Sequence, residues 1–176
     1  MSPRTHISDD DLAKGLFAML LAIYSKPAFE EICTECEFRF ADRQSFCDAM
    51  FEWLVYGVHT IDLGLRQFGV GVESIPALKR NLYASLCAGR SEHSDPMVIE
   101  ELAESSLGDY ESAETTHVLP SLAVYKIFDR PHGALDVDSE KVAILRSELE
   151  AKMEQTFQVI SNAFRRPIAA SARVGR

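Results

Sequence analysis

The spacing of apolar residues is the feature of this sequence that most limits the folds the chain can adopt. Apolar side chains recur every three or four residues along almost its whole length, which is the period of an amphipathic helix. No segment alternates apolar and polar residues between hairpin turns, as the strands of a sheet do. The pattern predicts an all-α fold, a single compact domain of six or seven helices.

Capping residues divide the pattern into helices. Ser8, followed by three aspartates, is placed to cap the first helix, which Pro27 stops. The second helix starts at Pro27 and is expected to end near Ala41. Asp42 then caps a long third helix that Gly69 closes, because glycine readily adopts the left-handed conformation found at helix C-termini.

The next two helices also have recognisable ends. Ser74 is expected to cap the fourth helix and Gly89 to terminate it. Asp95, which a proline follows, is the predicted N-cap of the fifth helix, and Gly108 is its predicted stop. A short acidic connector is expected after Gly108.

The last two helices flank a loop. Val118–Phe128 is predicted to be the sixth helix, and Asp129–Asp138 is the loop that follows. Ser139 caps the seventh helix, whose apolar positions almost form a heptad seam until Pro167 ends it.

Charge is distributed unevenly along the chain. With 27 acidic and 18 basic residues among 176, the formal net charge is −9, which disfavours the grip on phosphates that nucleic-acid binders use, so DNA is not expected as a partner. Residues 91–125 contain no lysine or arginine, whereas the segment from Arg165 contains arginines and no acid. We therefore divide the chain into a helical domain, residues 1–164, and a basic, flexible C-terminal tail, residues 165–176, able to contact a membrane surface, ribosomal RNA or an acidic partner.

The N-terminal region predicts a cytoplasmic protein. Gly15–Tyr24 is strongly apolar, but it is too short to span a bilayer and follows aspartates rather than a basic segment, so it is expected to be a core helix. The chain contains 4 cysteines, and without a secretory signal they are expected to stay reduced. The cytoplasm, the inner face of its membrane or the mitochondrial matrix are the expected locations.

Motifs of enzymes and metal sites are weak in this sequence. It has no nucleophile elbow, no phosphate-binding loop and no zinc-protease motif. Cys33 and Cys36 have the spacing of a redox pair but fall in the middle of a predicted helix, where small core residues are the favoured interpretation. A zinc site would need Cys47 and a fourth ligand such as His59 or Cys87, and the second half of a zinc motif is missing. We predict no metal, no cofactor and no catalytic residue.

Several short elements resemble one known family. The main one spans the end of the third helix and the basic fourth helix, and consists of Leu65-Arg66-Gln67-Phe68-Gly69-Val70-Gly71, then Ile75-Pro76, Lys79-Arg80 and Gly89-Arg90. Upstream, Lys26–Phe29 is similar to an early element of the same family, and downstream Leu119–Phe128 is similar to a later helix. These elements resemble the ubiquinol-cytochrome c chaperone family. The chain departs from the family at Val72, where the family has an acid, and in its longer spacing between Glu52 and Gly69.

The resemblance implies a noncatalytic, all-helical assembly factor. Its client would be a hydrophobic helical segment, namely cytochrome b during assembly of respiratory complex III, and a second chaperone subunit would be a further partner. The residues implied in partner binding are those of the matching elements: Arg66, Gly69, Val70, Gly71, Pro76, Lys79, Arg80 and Arg90.

A second hypothesis belongs to a different class. Tyr56, His59 and Asp62 lie close together on the predicted third helix and could form an acid/base group or a set of ligands. The protein would then be a small helical enzyme or ligand sensor with a pocket around these residues.

Overall fold

The computed structural model describes residues 9–69, 71–89, 95–115, 119–129 and 140–170. Within these ranges all regular structure is helical and no strand occurs, which confirms the all-α prediction. The helices, in chain order, are α1 Asp9–Ile23, α2 Lys26–Glu35, α3 Arg43–Phe68, α4 Ile75–Gly89, α5 Pro96–Thr115, α6 Leu119–Val124 and α7 Glu140–Ala170. A 3₁₀ turn, Val72–Ser74, precedes α4, and a π-helical turn, Tyr125–Asp129, continues α6.

Helix α3 is the centre of the molecule and packs against all six other helices. Most of its circumference is therefore apolar, and Trp53, Val55, Tyr56 and Val58 are completely buried along with Ile61 and Leu65. A helix that is apolar on nearly every side has to lie in the interior. The remaining helices surround it, and each turns one apolar stripe inward.

An aromatic cluster fills one end of the core around Phe29 of α2. Its ring stacks on Phe128 at 5.8 Å between centroids and contacts Trp53 at 5.5 Å. Phe38 and Phe40, from the segment between α2 and α3, contact each other at 5.0 Å, and Phe38 also contacts Phe128 at 5.3 Å. Aromatic pairs at these separations add to the free energy gained by burial, so they fix this irregular segment against the helices.

Tyr24, at the end of α1, ties three helices together. Its hydroxyl lies 2.7 Å from Thr60 Oγ1 of α3 and 3.3 Å from Thr156 Oγ1 of α7. Each threonine hydroxyl donates its own hydrogen to a carbonyl of its own helix. The tyrosine is therefore the donor, and burial of its hydroxyl raises its pKa to about 12.

Helix α3 has the predicted ends. Asp42 Oδ1 accepts a hydrogen bond from the Ser45 amide at 2.7 Å, and Gly69 closes the helix in the left-handed conformation, at φ 64°. Gly71 is also left-handed, at φ 63°, so two glycines turn the chain into the 3₁₀ turn. The Asp95 cap of α5 is confirmed as well, because its Oδ1 accepts from the Met97 amide at 3.0 Å.

The predicted end of α2 near Ala41 is wrong. The helix ends at Glu35, and Glu37 adopts a left-handed φ of 50° while the Phe38 amide donates to the Cys33 carbonyl at 2.7 Å. This is a Schellman-type ending with glutamate where glycine is usual. Packing of the phenylalanines that follow holds the residue in that conformation.

Three other predicted helix ends are also wrong. Ser74 caps nothing, because its buried Oγ has no hydrogen-bond partner among the described residues and the 3₁₀ turn runs directly into α4. Gly108 does not stop α5, since Tyr110 and Ala113 beyond it belong to the core and keep the chain helical instead of forming the expected connector. Pro167 does not end α7, which continues to Ala170, so the predicted tail begins inside this helix.

The predicted sixth helix is divided, and several predicted boundaries lie outside the described residues. α6 ends at Val124 and its continuation to Asp129 is a π-helical turn. Ser8, Val118, Ser139 and residues 171–176 of the tail are outside the described ranges.

One stretch of the described chain is long and apolar enough to cross a membrane by length and composition alone. It is Asp10–Glu35, with a mean hydropathy of 1.2. In the structure this stretch is two helices, separated where Ser25 caps α2 and accepts from the Ala28 amide at 3.3 Å. One side of α1 packs on α3 and α4.

Candidate functional site

Six of the eight predicted partner-binding residues lie in the described chain, on α3, in the turn after it and on α4. Arg66 is exposed and pairs with Asp62 at 3.1 Å. Gly69 and Gly71 shape the turn, and Gly71 is buried where a Cβ would lie 3.0 Å from Leu12 Cδ2. The conformation of this turn is sufficient to explain why both positions are glycine. Pro76 and Arg80 are exposed on α4, while Val70 and Arg90 lie outside the described residues.

Lys79 is bound to a neighbouring helix. Its ammonium group donates to Glu104 Oε2 of α5 at 3.1 Å. The Tyr83 hydroxyl donates to the other oxygen of the same carboxylate, and these two bonds lower the pKa of Glu104 although partial burial opposes them. Burial and the adjoining carboxylate together raise the pKa of Tyr83. The cation of Lys79 therefore holds α4 to α5 and is already partnered within the chain.

Tyr56, His59 and Asp62 are separated by their surroundings. Tyr56 is fully buried and its hydroxyl donates to the Leu149 carbonyl of α7 at 3.2 Å. The His59 ring is buried and stacked on Tyr110 at 5.7 Å between centroids. Asp62 lies at the periphery, where it pairs with Arg66. The three side chains therefore have different surroundings, two of them in the core and one at the periphery.

Burial controls the chemistry of His59. Removal of the ring from water lowers its pKa to about 4, and the positive charges of Arg66 and Lys79 act in the same direction. The imidazole is therefore neutral at physiological pH.

A buried polar cluster that the sequence did not reveal lies between α3, α5 and the π-helical turn. Lys126 is 3% exposed, and its ammonium group donates to Asp109 Oδ2 at 2.7 Å and lies 3.9 Å from Glu52 Oε2. Glu52 Oε2 accepts from the Ser106 hydroxyl at 2.5 Å and from the Tyr110 hydroxyl at 3.5 Å. We call Glu52, Ser106, Asp109, Tyr110 and Lys126 the polar cluster.

One cation, Lys126, lies between the two carboxylates of the polar cluster. Burial and the Glu52 carboxylate raise the pKa of Tyr110, so its hydroxyl keeps its proton and donates it to Glu52. The Lys126 ammonium group also lies 5.2 Å from the centre of the Tyr110 ring, in cation–π contact. These contacts join α3, α5 and the π-helical turn, and they give the cluster a structural role, although Asp109 is 59% exposed.

The C-x-x-C thiols lie in the core. Cys33 and Cys36 are buried on α2 and at its C-terminal end, and Cys47 is exposed. Burial raises the pKa of Cys33 to about 12 and also raises that of Cys36, so both side chains are protonated and poorly nucleophilic. Among the described residues no group of three or more His, Cys, Asp or Glu side chains is arranged to hold a metal ion.

The outward side of α5 is the most exposed apolar region of the described chain. Met97 is 69% exposed, Val98 50% and Leu102 49%, while the inward side of the same helix buries Ile99, Ala103 and the residues that follow at helical spacing. The sequence contained this signal, since all three residues fall outside the stripe that packs on the core. Exposed apolar groups next to one another are typical of interaction surfaces.

Comparison of this chain with protein-family models, with characterised proteins and with solved structures finds no match. The resemblance to the ubiquinol-cytochrome c chaperone family therefore depends on the quoted residues alone.

Proposed function

We propose that this protein is a noncatalytic adaptor or assembly chaperone that binds a hydrophobic helical segment of a protein partner. The supporting observation is the exposed apolar surface of α5, formed by Met97, Val98 and Leu102. Burying these side chains against a partner would remove apolar area from water, which is the main source of free energy in protein association. Such binding needs packing and no reactive group.

The burial of three potentially reactive side chains is consistent with this proposal. Tyr56 and His59 are buried, and Lys126 is enclosed by two carboxylates of the polar cluster. A substrate would have to displace core packing to reach any of them. The enzyme or ligand-sensor hypothesis around Tyr56, His59 and Asp62 gains no support from this geometry.

The finer identity of the client comes only from the resemblance. If the resemblance holds, the client is cytochrome b, a second chaperone subunit takes part, and the protein acts in the cytoplasm at the inner face of the membrane or in the mitochondrial matrix. Recovery of newly synthesised cytochrome b with the protein, after gentle detergent extraction of the cells that make it, tests this identity separately from the surface.

The test of the surface compares two triple variants. The first variant, Met97→Ser with Val98→Ser and Leu102→Ser, removes the exposed apolar side chains of α5. The second, Leu21→Ser with Ile144→Ser and Val159→Ser, removes exposed apolar side chains of α1 and α7. Partners crosslinked in the producing cells are quantified by mass spectrometry. We expect the α5 variant to lose its partners at least tenfold and the control variant to keep them, with thermal midpoints close to that of the unmodified protein. Retention of every partner by a folded α5 variant would contradict the proposal.

A further inference from the structure

We infer that the α5 surface binds a basic amphipathic helix. This inference rests on the proposed function and names the chemistry of the partner. The surface consists of Met97, Val98, Glu100, Glu101 and Leu102, and we call it the α5 surface. Its apolar and acidic residues lie within the first two turns of one helix.

Helical spacing fixes how these residues are arranged. Val98 and Leu102 are four residues apart and lie on one side of α5. Met97 and Glu101 follow the outermost line of the helix, and Glu100 lies on the opposite side, one turn before Glu104. The apolar pair thus lies on one flank of the surface, and the carboxylates lie along its midline and on the other flank.

The carboxylates of the α5 surface are available to a partner. Glu104 is held by Lys79 and Tyr83, but no ion pair joins Glu100 or Glu101 to a lysine or arginine among the described residues. The sequence contains no basic residue from 91 to 125 that could compensate them locally. A lysine or arginine from a partner would be attracted to these two carboxylates.

The charge also argues against two other occupants. A second copy of the chain would bring the same carboxylates against each other, which is unfavourable. An anionic lipid surface would be repelled for the same reason. A helix with an apolar stripe bordered by lysine and arginine satisfies both parts of the surface, because its apolar side chains meet Met97, Val98 and Leu102 while its cations meet Glu100 and Glu101.

The binding test uses three synthetic helical peptides of equal length. The first has a leucine stripe at helical spacing bordered by lysine and arginine, the second carries glutamate in place of the cations, and the third has the composition of the first in an order without a stripe. Each carries a fluorophore and is titrated with the full-length protein at low and at physiological salt. We expect saturable binding of the first peptide, weaker at higher salt, and at least tenfold weaker binding of the other two. Equal binding of the basic and acidic peptides would overturn the inference.

Charge-reversed variants test whether the basic peptide binds at the α5 surface. Glu100→Lys with Glu101→Lys is expected to weaken binding of the basic peptide at least tenfold, because attraction becomes repulsion. Glu150→Lys with Glu154→Lys makes the same change in charge on the exposed side of α7 and is expected to change the affinity less than twofold. Equal loss in both variants would show an effect of net charge alone and would overturn the inference.

Two further outcomes separate this inference from its alternatives. If Arg173→Gln with Arg176→Gln in the full chain strengthens peptide binding tenfold or more, the occupant is the chain's own C-terminal segment and the inference is wrong. If the natural partner is lost by the Met97, Val98 and Leu102 variant but retained by the Glu100 and Glu101 variant, the proposed function stands and the basic partner does not. If both variants retain the partner, the proposed function itself fails.

Discussion

Lys126 is a buried cation whose position depends on two carboxylates from different helices. Its ammonium group contacts Asp109 directly, lies near Glu52 and makes a cation–π contact with the ring of Tyr110. Taking an ammonium group out of water is costly, and only close opposite charges and hydrogen bonds offset that cost. The residue therefore matters more for stability than an exposed lysine does.

Substitution of Lys126 tests this cost. Lys126→Met keeps the apolar stem but removes the buried ammonium group that lies between Asp109 and Glu52, so we expect the free energy of unfolding to fall by about 3 kcal/mol in denaturant titration. Lys14→Met, which removes an exposed ion pair with Asp11 at 3.6 Å, is the matched control and should cost under about 1 kcal/mol. Adding Glu52→Gln to Lys126→Met should recover part of the loss. Equal effects of the two lysine substitutions would contradict the assignment.

His59 should make the fold sensitive to mild acid. Its pKa is about 4 in the folded protein and about 6.5 when exposed, so below pH 6.5 the unfolded chain binds a proton that the folded chain does not. Stability is therefore complete above pH 6.5 and decreases as the pH falls toward 4, by a loss on the order of 3 kcal/mol from this residue. His59→Gln should flatten the pH dependence in this window relative to the unmodified protein. Parallel pH profiles of the two proteins would disprove the assignment.

At the scale of the helices, capping residues and glycines predicted a helix end correctly where the packing of the core ends the helix at the same residue. Asp42 and Gly69 delimit α3 as predicted, because the cap and the left-handed glycine coincide with the limits of the buried stripe. Gly108 and Glu37 show the opposite case. The tendency of Gly108 to end α5 is outweighed by the packing of the core residues that follow it. Helix α2 ends where Glu37 adopts a left-handed conformation, because the phenylalanines that follow pack against the core.

The polar cluster could not be predicted from sequence. Glu52, Ser106 and Lys126 meet only because α3, α5 and the π-helical turn pack together, and nothing in their spacing along the chain indicates that contact. The π-helical turn contains Lys126 and redirects the end of the sixth predicted helix. Capping residues and apolar periodicity carry no information about such a turn.

Two glycines at helical positions should respond in opposite ways to the same change. Gly108 has no atom within 4 Å of an added Cβ, so Gly108→Ala should raise the free energy of unfolding by about 0.5–1 kcal/mol through better helix propensity. At Gly57 an added Cβ would lie 2.5 Å from Leu20 Cδ1 and 2.8 Å from the Tyr24 ring, so Gly57→Ala should cost about 1–3 kcal/mol. Thermal and denaturant unfolding measure both. Stabilisation by both substitutions would show that α1 moves away from α3 easily.

At the scale of the whole molecule, the buried thiols report on the integrity of the core. Cys33 and Cys36 are buried and Cys47 is exposed, so an alkylating reagent should modify Cys47 at least a hundredfold faster than the other two. Peptide mapping by mass spectrometry measures each site, and denaturant should equalise the rates. Fast labelling of Cys33 in the folded protein would show that α2 detaches from the core.

The hydroxyl of Tyr24 has a consequence for the order in which the molecule can be completed. One of its two threonine neighbours belongs to α3 and the other to α7, at the far end of the chain. α7 also covers α3 and α6, and it supplies the carbonyl that Tyr56 needs. Since synthesis proceeds from the N-terminus, the apolar sides of α3 and α6 stay uncovered until α7 has left the ribosome. A chain terminated prematurely before residue 140 would therefore retain those open surfaces, and we expect it to be a target of cellular proteolysis rather than a shorter working version of the protein.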